Sequence, residues 1–144
     1  MDPLSAALLA AALYFLELRS IAALAAAVSV HELGHLAALR LLGLRIRAFR
    51  SEAQGFCIDY EGETTRLGHI AAALAGPAAG LVLAFALSAL ATRRGSSFCA
   101  LTAGVSLLLS LFNLLPVRRL DGGRITGLIL TAIFGEAAGD RAAR

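Results

Sequence analysis

The chain of 144 residues is strongly apolar and weakly basic. Hydrophobic residues make up 58 % of it, charged residues only 16 %, and the mean hydropathy is +0.77. Soluble domains carry roughly 25 % charged residues, so the composition excludes an ordinary soluble domain and indicates an integral membrane protein. The net charge of +3 comes from arginines at the ends of apolar segments, a pattern typical of loops beside membrane spans. We therefore expect the lipid bilayer, and no nucleic acid, as a partner.

The first two apolar segments differ in whether they can cross a bilayer. Residues 4–16 form a short run, and a helix of that length reaches only about 20 Å of the roughly 30 Å hydrocarbon core. Asp2 and Pro3 stand where a signal peptide would have basic residues, so we expect this segment to be retained. Residues 21–42 are rich in Ala and Leu, lack proline and are long enough to span.

A charged stretch over residues 43–66 separates the second apolar segment from the third. Apolar and polar residues alternate over residues 44–50, and residues 55–60 are rich in β-formers. Alternation of this kind is typical of strands. The stretch therefore predicts a short β-hairpin whose strands are joined around residues 51–54.

The third apolar segment covers residues 67–91 and carries Gly76, Pro77 and Gly80 near its middle. A proline inside a helix removes one backbone hydrogen bond, so a kink is expected there. The four-residue spacing of the two glycines would let another helix approach closely. The segment is therefore expected to pack against a neighbouring span.

A fourth apolar segment covers residues 97–115, and a last run over residues 125–134 is too short to cross. The segments together predict an all-α polytopic membrane protein with about four transmembrane helices. A short β-hairpin and a C-terminal half-span or interfacial helix complete this single domain, residues 1–144. Most arginines fall on the side that holds the hairpin, which places that side in the cytoplasm. We expect a multi-pass protein of a bacterial cytoplasmic membrane.

The second apolar segment contains an H-E-x-x-H motif, His31-Glu32-Leu33-Gly34-His35. Residues four apart lie on one face of a helix, so both imidazoles can bind one metal ion. Glu32 can then take a proton from a water at the metal without being a ligand. Each ionisable group at the bilayer centre costs about 2.5–3.5 kcal/mol. Three of them on one turn favour a shared zinc ion over ordinary surface residues.

H-E-x-x-H supplies two ligands, whereas a catalytic zinc site usually has three protein ligands and one open position. Asp121 is the best-placed third ligand, because it follows a membrane span and is flanked by glycines that permit close backbone approach. The alternative for Asp121 is an ordinary surface turn. The other candidate ligands are His69, Asp59, Glu61 and Glu63.

Asn113 is the only asparagine and lies near the end of the fourth segment. It could form a hydrogen bond between helices, or it could polarise a substrate carbonyl and hold water near the metal. Both roles stay open. Cys57 and Cys99 form no C-x-x-C motif, so they indicate neither a redox pair nor a zinc ribbon.

Two motifs together resemble the site-2 protease family of intramembrane metalloproteases. One is H-E-x-x-H at residues 31–35, and the other is N-x-x-P-x-x-x-x-D-G, which residues 113–122 match in residue types and spacing. The resemblance covers roughly residues 21–135. It implies hydrolysis of peptide bonds in membrane-spanning or membrane-associated protein substrates. It also implies Glu32 as general base and one zinc ion per chain on His31, His35 and Asp121.

The compact size is similar to the branch of the family that contains the sporulation stage IV factor FB. Gly80 and Arg119 stand where family members often have Asn and Pro, but neither change removes a ligand. A homo-oligomer or a regulatory membrane partner stays open as a way to enclose the site. Two other functions also stay open: a non-catalytic membrane scaffold or chaperone, and a metal-transport protein. A scaffold has no need for Glu32, and a transporter is expected to show several polar sites along a path.

Overall fold

A computed structural model of the chain describes residues 17–52, 55–62 and 64–134. The predicted first apolar segment, residues 4–16, lies outside these residues. The described part contains helix α1 (Leu18–Leu41), strands β1 (Arg45–Glu52) and β2 (Gly55–Glu61), and helices α2 (Arg66–Arg94), α3 (Ser97–Asn113) and α4 (Asp121–Phe134).

Local residues account for the ends of α2 and α3. The side-chain oxygen of Thr65 accepts a hydrogen bond from the Gly68 N–H (3.1 Å), and that of Ser96 accepts one from the Cys99 N–H (3.3 Å). Such N-caps stabilise a helix by about 1 kcal/mol. Gly95 follows the last residue of α2 and adopts the left-handed conformation with φ of 65°, as glycine does after many helices.

Two of these helices are long and apolar enough to cross a membrane. They are α1, with 24 residues, and α2, with 29. Only 22 % and 33 % of their most apolar windows are buried, whereas a core helix of a soluble protein is mostly buried. Helix α3 has 17 residues and reaches about 25 Å. The number of four crossings stays a prediction.

Helix α2 lies at the centre of the described fold and packs against α1, α3 and α4, while α1 also contacts α3. The buried side chains at these contacts are small: Ala23, Ala27, Ala72, Ala73, Ala84 and Ala103. Small side chains let helix backbones approach closely, which is how helices associate when lipid removes most of the hydrophobic driving force. Pro77 is fully buried inside α2, which continues through it as one helix.

Strands β1 and β2 pair as an antiparallel hairpin between α1 and α2. Arg45 pairs with Glu61 at one end and Glu52 with Gly55 at the other, and the register shifts between Ile46 and Ala48. Strand β1 also contacts α1. Leu39 of α1, Leu44 and Ala72 of α2 form a small buried cluster. This cluster fixes the hairpin base against the two helices.

Helix α4 begins at Asp121, four residues before the apolar run that predicted it. Gly122 and Gly123 favour a turn, yet they occupy the first turn of α4. The reason is close packing on the preceding segment. A Cβ at Gly122 would overlap the carbonyl oxygen of Leu114, and one at Gly123 would overlap that of Val117. The glycine pair therefore lets α4 start directly against the end of α3.

Candidate metal centre

The two motif histidines lie on the buried face of α1. That face is one ridge of residues spaced four apart: Ala23, Ala27, His31, His35 and Leu39. Residues at this spacing stack on one side of a helix. Because alanines come before and a leucine after, the ridge packs into the protein and takes both imidazoles with it. His31 is 4 % exposed and His35 9 %.

Asp121 reaches the same place from the other end of the sequence. It is the first residue of α4 and is 9 % exposed. The chain between α3 and α4 turns tightly, with a hydrogen bond from the Leu120 N–H to the Val117 carbonyl (2.9 Å). The close contact of Gly122 with Leu114 then holds the start of α4 against this turn. These contacts deliver the carboxylate to the buried face of α1.

Three atoms from these side chains form a nearly equilateral triangle. The His31 and His35 Nε2 atoms are 3.2 Å apart, and Asp121 Oδ2 is 3.2 Å from each of them. A tetrahedral zinc site with bonds of about 2.0–2.1 Å separates its ligand atoms by about 3.3 Å. The triangle therefore has the size that one zinc ion requires, and three ligands leave a fourth position open.

One atom of the triangle and one further nitrogen of the same side chains lack a hydrogen-bond partner. Within the residues that the structure describes, Asp121 Oδ2 and His31 Nδ1 are buried without a hydrogen bond of acceptable geometry. Leaving such a group unpaired costs about 1–3 kcal/mol, and more if it is charged. A cation between the three atoms would compensate the carboxylate oxygen. The donor set, two imidazoles and one carboxylate, is one that zinc accepts.

Helix α2 contacts the His35 ring through its backbone. His35 Nδ1 donates a hydrogen bond to the Ala72 carbonyl at 2.8 Å, which leaves the Nε2 lone pair directed to the triangle. Metal-binding histidines commonly donate their other ring N–H in this way, which fixes the tautomer and the ring orientation. Gly76 lies one turn further on, and a Cβ there would overlap the imidazole. The sequence does not predict either contact with His35. It predicts only that the spacing of Gly76 and Gly80 lets another helix approach closely.

Two further predicted site residues lie on the elements around the triangle. Glu32 follows His31 on α1, is half-buried, and is within electrostatic range of both imidazoles and of Asp121. Asn113 ends α3 and is also half-buried. Its amide Nδ2 donates one of its two hydrogens to the Leu109 carbonyl of its own helix at 3.0 Å, which leaves the second N–H and the side-chain oxygen for other partners.

Two of the four alternative third ligands have described side chains, and neither is part of the triangle. His69 is half-buried in the first turn of α2. Glu61 is exposed on the hairpin and pairs with Arg47 at 2.5 Å. The side chains of Asp59 and Glu63 lie outside the described residues. Among the side chains that are described, the group that could hold a metal ion is His31, His35 and Asp121.

Comparison with known proteins gives a family match over part of the chain. The family model for peptidase family M50 matches residues 88–144, a range that includes Asp121 but not the two histidines. A protein of Synechocystis sp. named as a candidate zinc metalloprotease is 34 % identical over 116 residues. That alignment covers 76 % of this chain but only 31 % of the relative, so the chain spans about a third of the relative's length.

The fold matches a solved structure. The site-2 protease from Methanocaldococcus jannaschii superposes with a TM-score of 0.77 at 21 % sequence identity. The match covers 97 % of this chain and 68 % of that protein. At this identity the likeness establishes a shared fold.

Proposed function

We propose that the chain is an intramembrane zinc protease, because residues 88–144 match peptidase family M50 and the fold matches that of a site-2 protease. It would hydrolyse peptide bonds of membrane-spanning or membrane-associated protein substrates. One observation carries the proposal: two helices that are far apart in sequence bring His31, His35 and Asp121 into a buried triangle of 3.2 Å sides. Burying three such groups in an apolar protein is unfavourable unless they share a partner such as a metal ion.

The three side chains of the triangle would hold one zinc ion. Zinc bound there would supply Lewis-acid polarisation of a peptide carbonyl and would lower the pKa of water toward about 7. The imidazoles and the carboxylate would bind it through Nε2 and Oδ2, the atoms that face one another. His35 is held in the required tautomer by its hydrogen bond to the Ala72 carbonyl.

Glu32 would act as the general base. Its carboxylate takes a proton from the attacking water while the water oxygen bonds to the peptide carbon. The same carboxyl then gives that proton to the departing amide nitrogen as the C–N bond breaks, so that one water is consumed for each bond cut. General acid–base catalysis of this kind contributes about 10²–10⁴-fold in rate. Asn113 would assist by donating a hydrogen bond from its second N–H to the substrate carbonyl or to water.

The hairpin offers a way to present the substrate. A helical peptide bond is shielded by its own hydrogen bonds, so a substrate helix has to unwind before it can be cut. A two-stranded sheet has two outer edges, and an extended peptide can add to such an edge as a further strand. We expect deletion of β2 to lower turnover far more than zinc content. Equal loss of both would instead mean that the strand serves folding.

The site is expected to face the cytoplasmic side of a bacterial membrane, because the arginines concentrate on the side of the hairpin. Regulation by a membrane partner or by a second copy of the chain, and the sporulation branch of the family, stay predictions. A protein that only kept the family fold as a scaffold is the alternative, and Glu32 distinguishes the two functions.

The test combines metal content with cleavage. The wild type, Glu32→Gln, His35→Ala and Asp121→Asn are purified in detergent without chelators. Each is also co-expressed with single-span reporter proteins tagged at both ends. We expect about one zinc per chain in the wild type and in Glu32→Gln, and less zinc in the two ligand variants. Only the wild type should cut a reporter.

Two results would contradict the proposal. A wild type that contains no zinc would mean that this chain alone does not assemble the site, and the scaffold would then be favoured. Reporter cleavage by Glu32→Gln at the wild-type rate would exclude Glu32 as the general base.

A further inference from the structure

We propose that Gly76 is a positioning residue for the metal site, because its missing side chain makes the space that the His35 imidazole occupies. The proposal rests on the proposed function, in which His35 is a zinc ligand. We call the α2 backbone between Ala72 and Gly76 the His35 seat. The His35 seat would fix the orientation of one metal ligand before the metal binds.

The first contact in the His35 seat is a hydrogen bond. His35 Nδ1 donates to the Ala72 carbonyl at 2.8 Å, between two different helices. It sets the tautomer in which Nε2 carries the lone pair, and it fixes one edge of the ring. A single hydrogen bond still lets the ring swing about that point, so a second contact is needed to fix the direction of Nε2.

Gly76 supplies that second contact. A Cβ at this position would overlap Nε2, Cε1 and Cδ2 of His35, the edge of the ring that faces the triangle. The ring therefore lies against the bare backbone of α2, where no other residue type leaves room for it. Gly76 and His35 are both buried, so a side chain at position 76 would meet the ring inside the protein.

The close packing of α1 on α2 prevents the two helices from moving to make room for a side chain at position 76. Gly34 precedes His35, and a Cβ there would lie 2.5 Å from the Ala75 carbonyl oxygen and 2.8 Å from the Ala79 Cβ. The two backbones are thus already in close contact on the neighbouring turn. A residue larger than glycine at position 76 would therefore rotate the His35 imidazole, because the contact at Gly34 keeps α1 and α2 at their present distance.

Ordinary close packing of helices by small residues is the competing interpretation, and Gly80 provides the matched control. It lies one turn beyond Gly76 on α2 and is also buried, but its missing side chain faces the Ser110 hydroxyl of α3. If glycines serve only to bring helices together, alanine at either position should affect the metal site alike.

The experiment measures zinc affinity by competition with a chelator for wild type, Gly76→Ala and Gly80→Ala in detergent. It also records the visible absorption spectrum of the Co²⁺-substituted proteins, which reports ligand geometry. Groups that orient metal ligands change affinity by about 10–100-fold. We expect a loss of that size and an altered Co²⁺ spectrum for Gly76→Ala. Gly80→Ala should keep the wild-type affinity and spectrum.

A second measurement shows that Gly76 acts through His35. Thermal unfolding of the metal-free proteins is compared for Gly76→Ala in the wild-type and in the His35→Ala backgrounds. We expect a lower Tm in the first, where the methyl group meets the ring, and no loss in the second, where the ring is absent. This comparison also applies if Gly76→Ala alone fails to fold, since the double variant should then fold again.

The proposal is wrong if Gly76→Ala binds zinc as the wild type does, or if Gly80→Ala weakens binding equally. It is also wrong if Gly76→Ala costs the same stability with and without His35. A wild type that binds no zinc would remove the proposed function instead. The stability comparison would still decide whether Gly76 accommodates the imidazole.

Discussion

Two faces of helix α2 make the same kinds of contact, but only one of them contacts a candidate metal ligand. Toward α1, His35 donates a hydrogen bond to the Ala72 carbonyl at 2.8 Å, and its ring fills the space beside Gly76. Toward α3, Ser106 donates to the Gly80 carbonyl at 2.9 Å, and the Ser110 hydroxyl fills the space beside Gly80. Both faces combine a side-chain donor with a glycine.

The difference lies in the chemistry of the side chain that each face accommodates. The α1 face holds an imidazole whose second nitrogen points to two further candidate metal ligands. The hydroxyl of Ser106 bonds to α2 and that of Ser110 to the Ser106 carbonyl of its own helix, so the α3 face serves packing. A tight glycine contact therefore does not mark a functional site by itself. Substitutions on the two faces should separate metal binding from stability.

The largest effect is expected for Gly34→Ala, which disturbs stability and metal binding together. The new Cβ would lie 2.5 Å from the Ala75 carbonyl oxygen, a backbone atom that cannot rotate aside. Helices α1 and α2 would have to separate, which costs about 1–3 kcal/mol as overpacking does, and His35 would leave the Ala72 carbonyl. Thermal unfolding and chelator competition should both show a loss. Wild-type zinc affinity in a destabilised variant would show that the His35 seat tolerates such a separation.

A smaller effect, confined to stability, is expected for Gly80→Ala. The methyl group would displace the Ser110 hydroxyl, which at present donates to the Ser106 carbonyl at 2.8 Å. We expect a loss of about 1 kcal/mol, since the lost contacts outweigh the better helix propensity of alanine. Zinc affinity should stay unchanged.

The matched background for Gly80→Ala is Ser110→Ala, which removes the displaced hydroxyl. In that background the next atoms from a Cβ at position 80 are the Ser106 Oγ at 3.5 Å and the Ser110 Cβ at 3.6 Å, both ordinary contacts. Alanine should then be neutral or stabilising, because it is a better helix former than glycine. A full loss in both backgrounds would show that the hydroxyl is not what the methyl group meets.

Ser106→Ala is expected to have a smaller effect again. It removes one hydrogen bond between helices, to a Gly80 carbonyl that already lies within the backbone ladder of α2. Hydrogen bonds of this kind in membrane proteins contribute about 0.6 kcal/mol on average. Thermal unfolding in detergent measures the loss. Thr102→Val is the control, because its hydroxyl donates to Phe98 of the same helix at 2.9 Å and joins no two helices.

Local spacing explains which parts of the candidate metal site could be predicted from the sequence. His31 and His35 share a helix face at any four-residue spacing, so their proximity follows from helix geometry alone. Asp121 was singled out among several candidate carboxylates by its setting and by the resemblance of residues 113–122 to a family motif. Spacing could not place it, because its approach to α1 depends on the turn that follows α3.

The His35 seat could not be predicted, because every residue carries the same backbone carbonyl. Which carbonyl accepts the His35 proton depends on how α1 and α2 are aligned. The spacing of Gly76 and Gly80 indicated close helix packing, but not that a metal-ligand candidate would fill one of the two spaces. The early start of α4 was missed for a related reason, since Gly122 and Gly123 favour a turn until their contact with residues 114–118 is known.

The smallest effect is expected for Gly104→Ala, which tests whether the contacts of a glycine determine the cost of replacing it. Gly104 lies inside α3, and among the described residues a Cβ there would meet no atom within 4 Å. With no contact to disturb, only the intrinsic preference for alanine acts, up to about 1 kcal/mol in favour of the helix. The Tm should be unchanged or slightly higher, with wild-type zinc affinity. A loss as large as that of Gly80→Ala would mean that glycine is needed throughout these helices whatever it touches, and the contrast between the two faces of α2 would then have no basis.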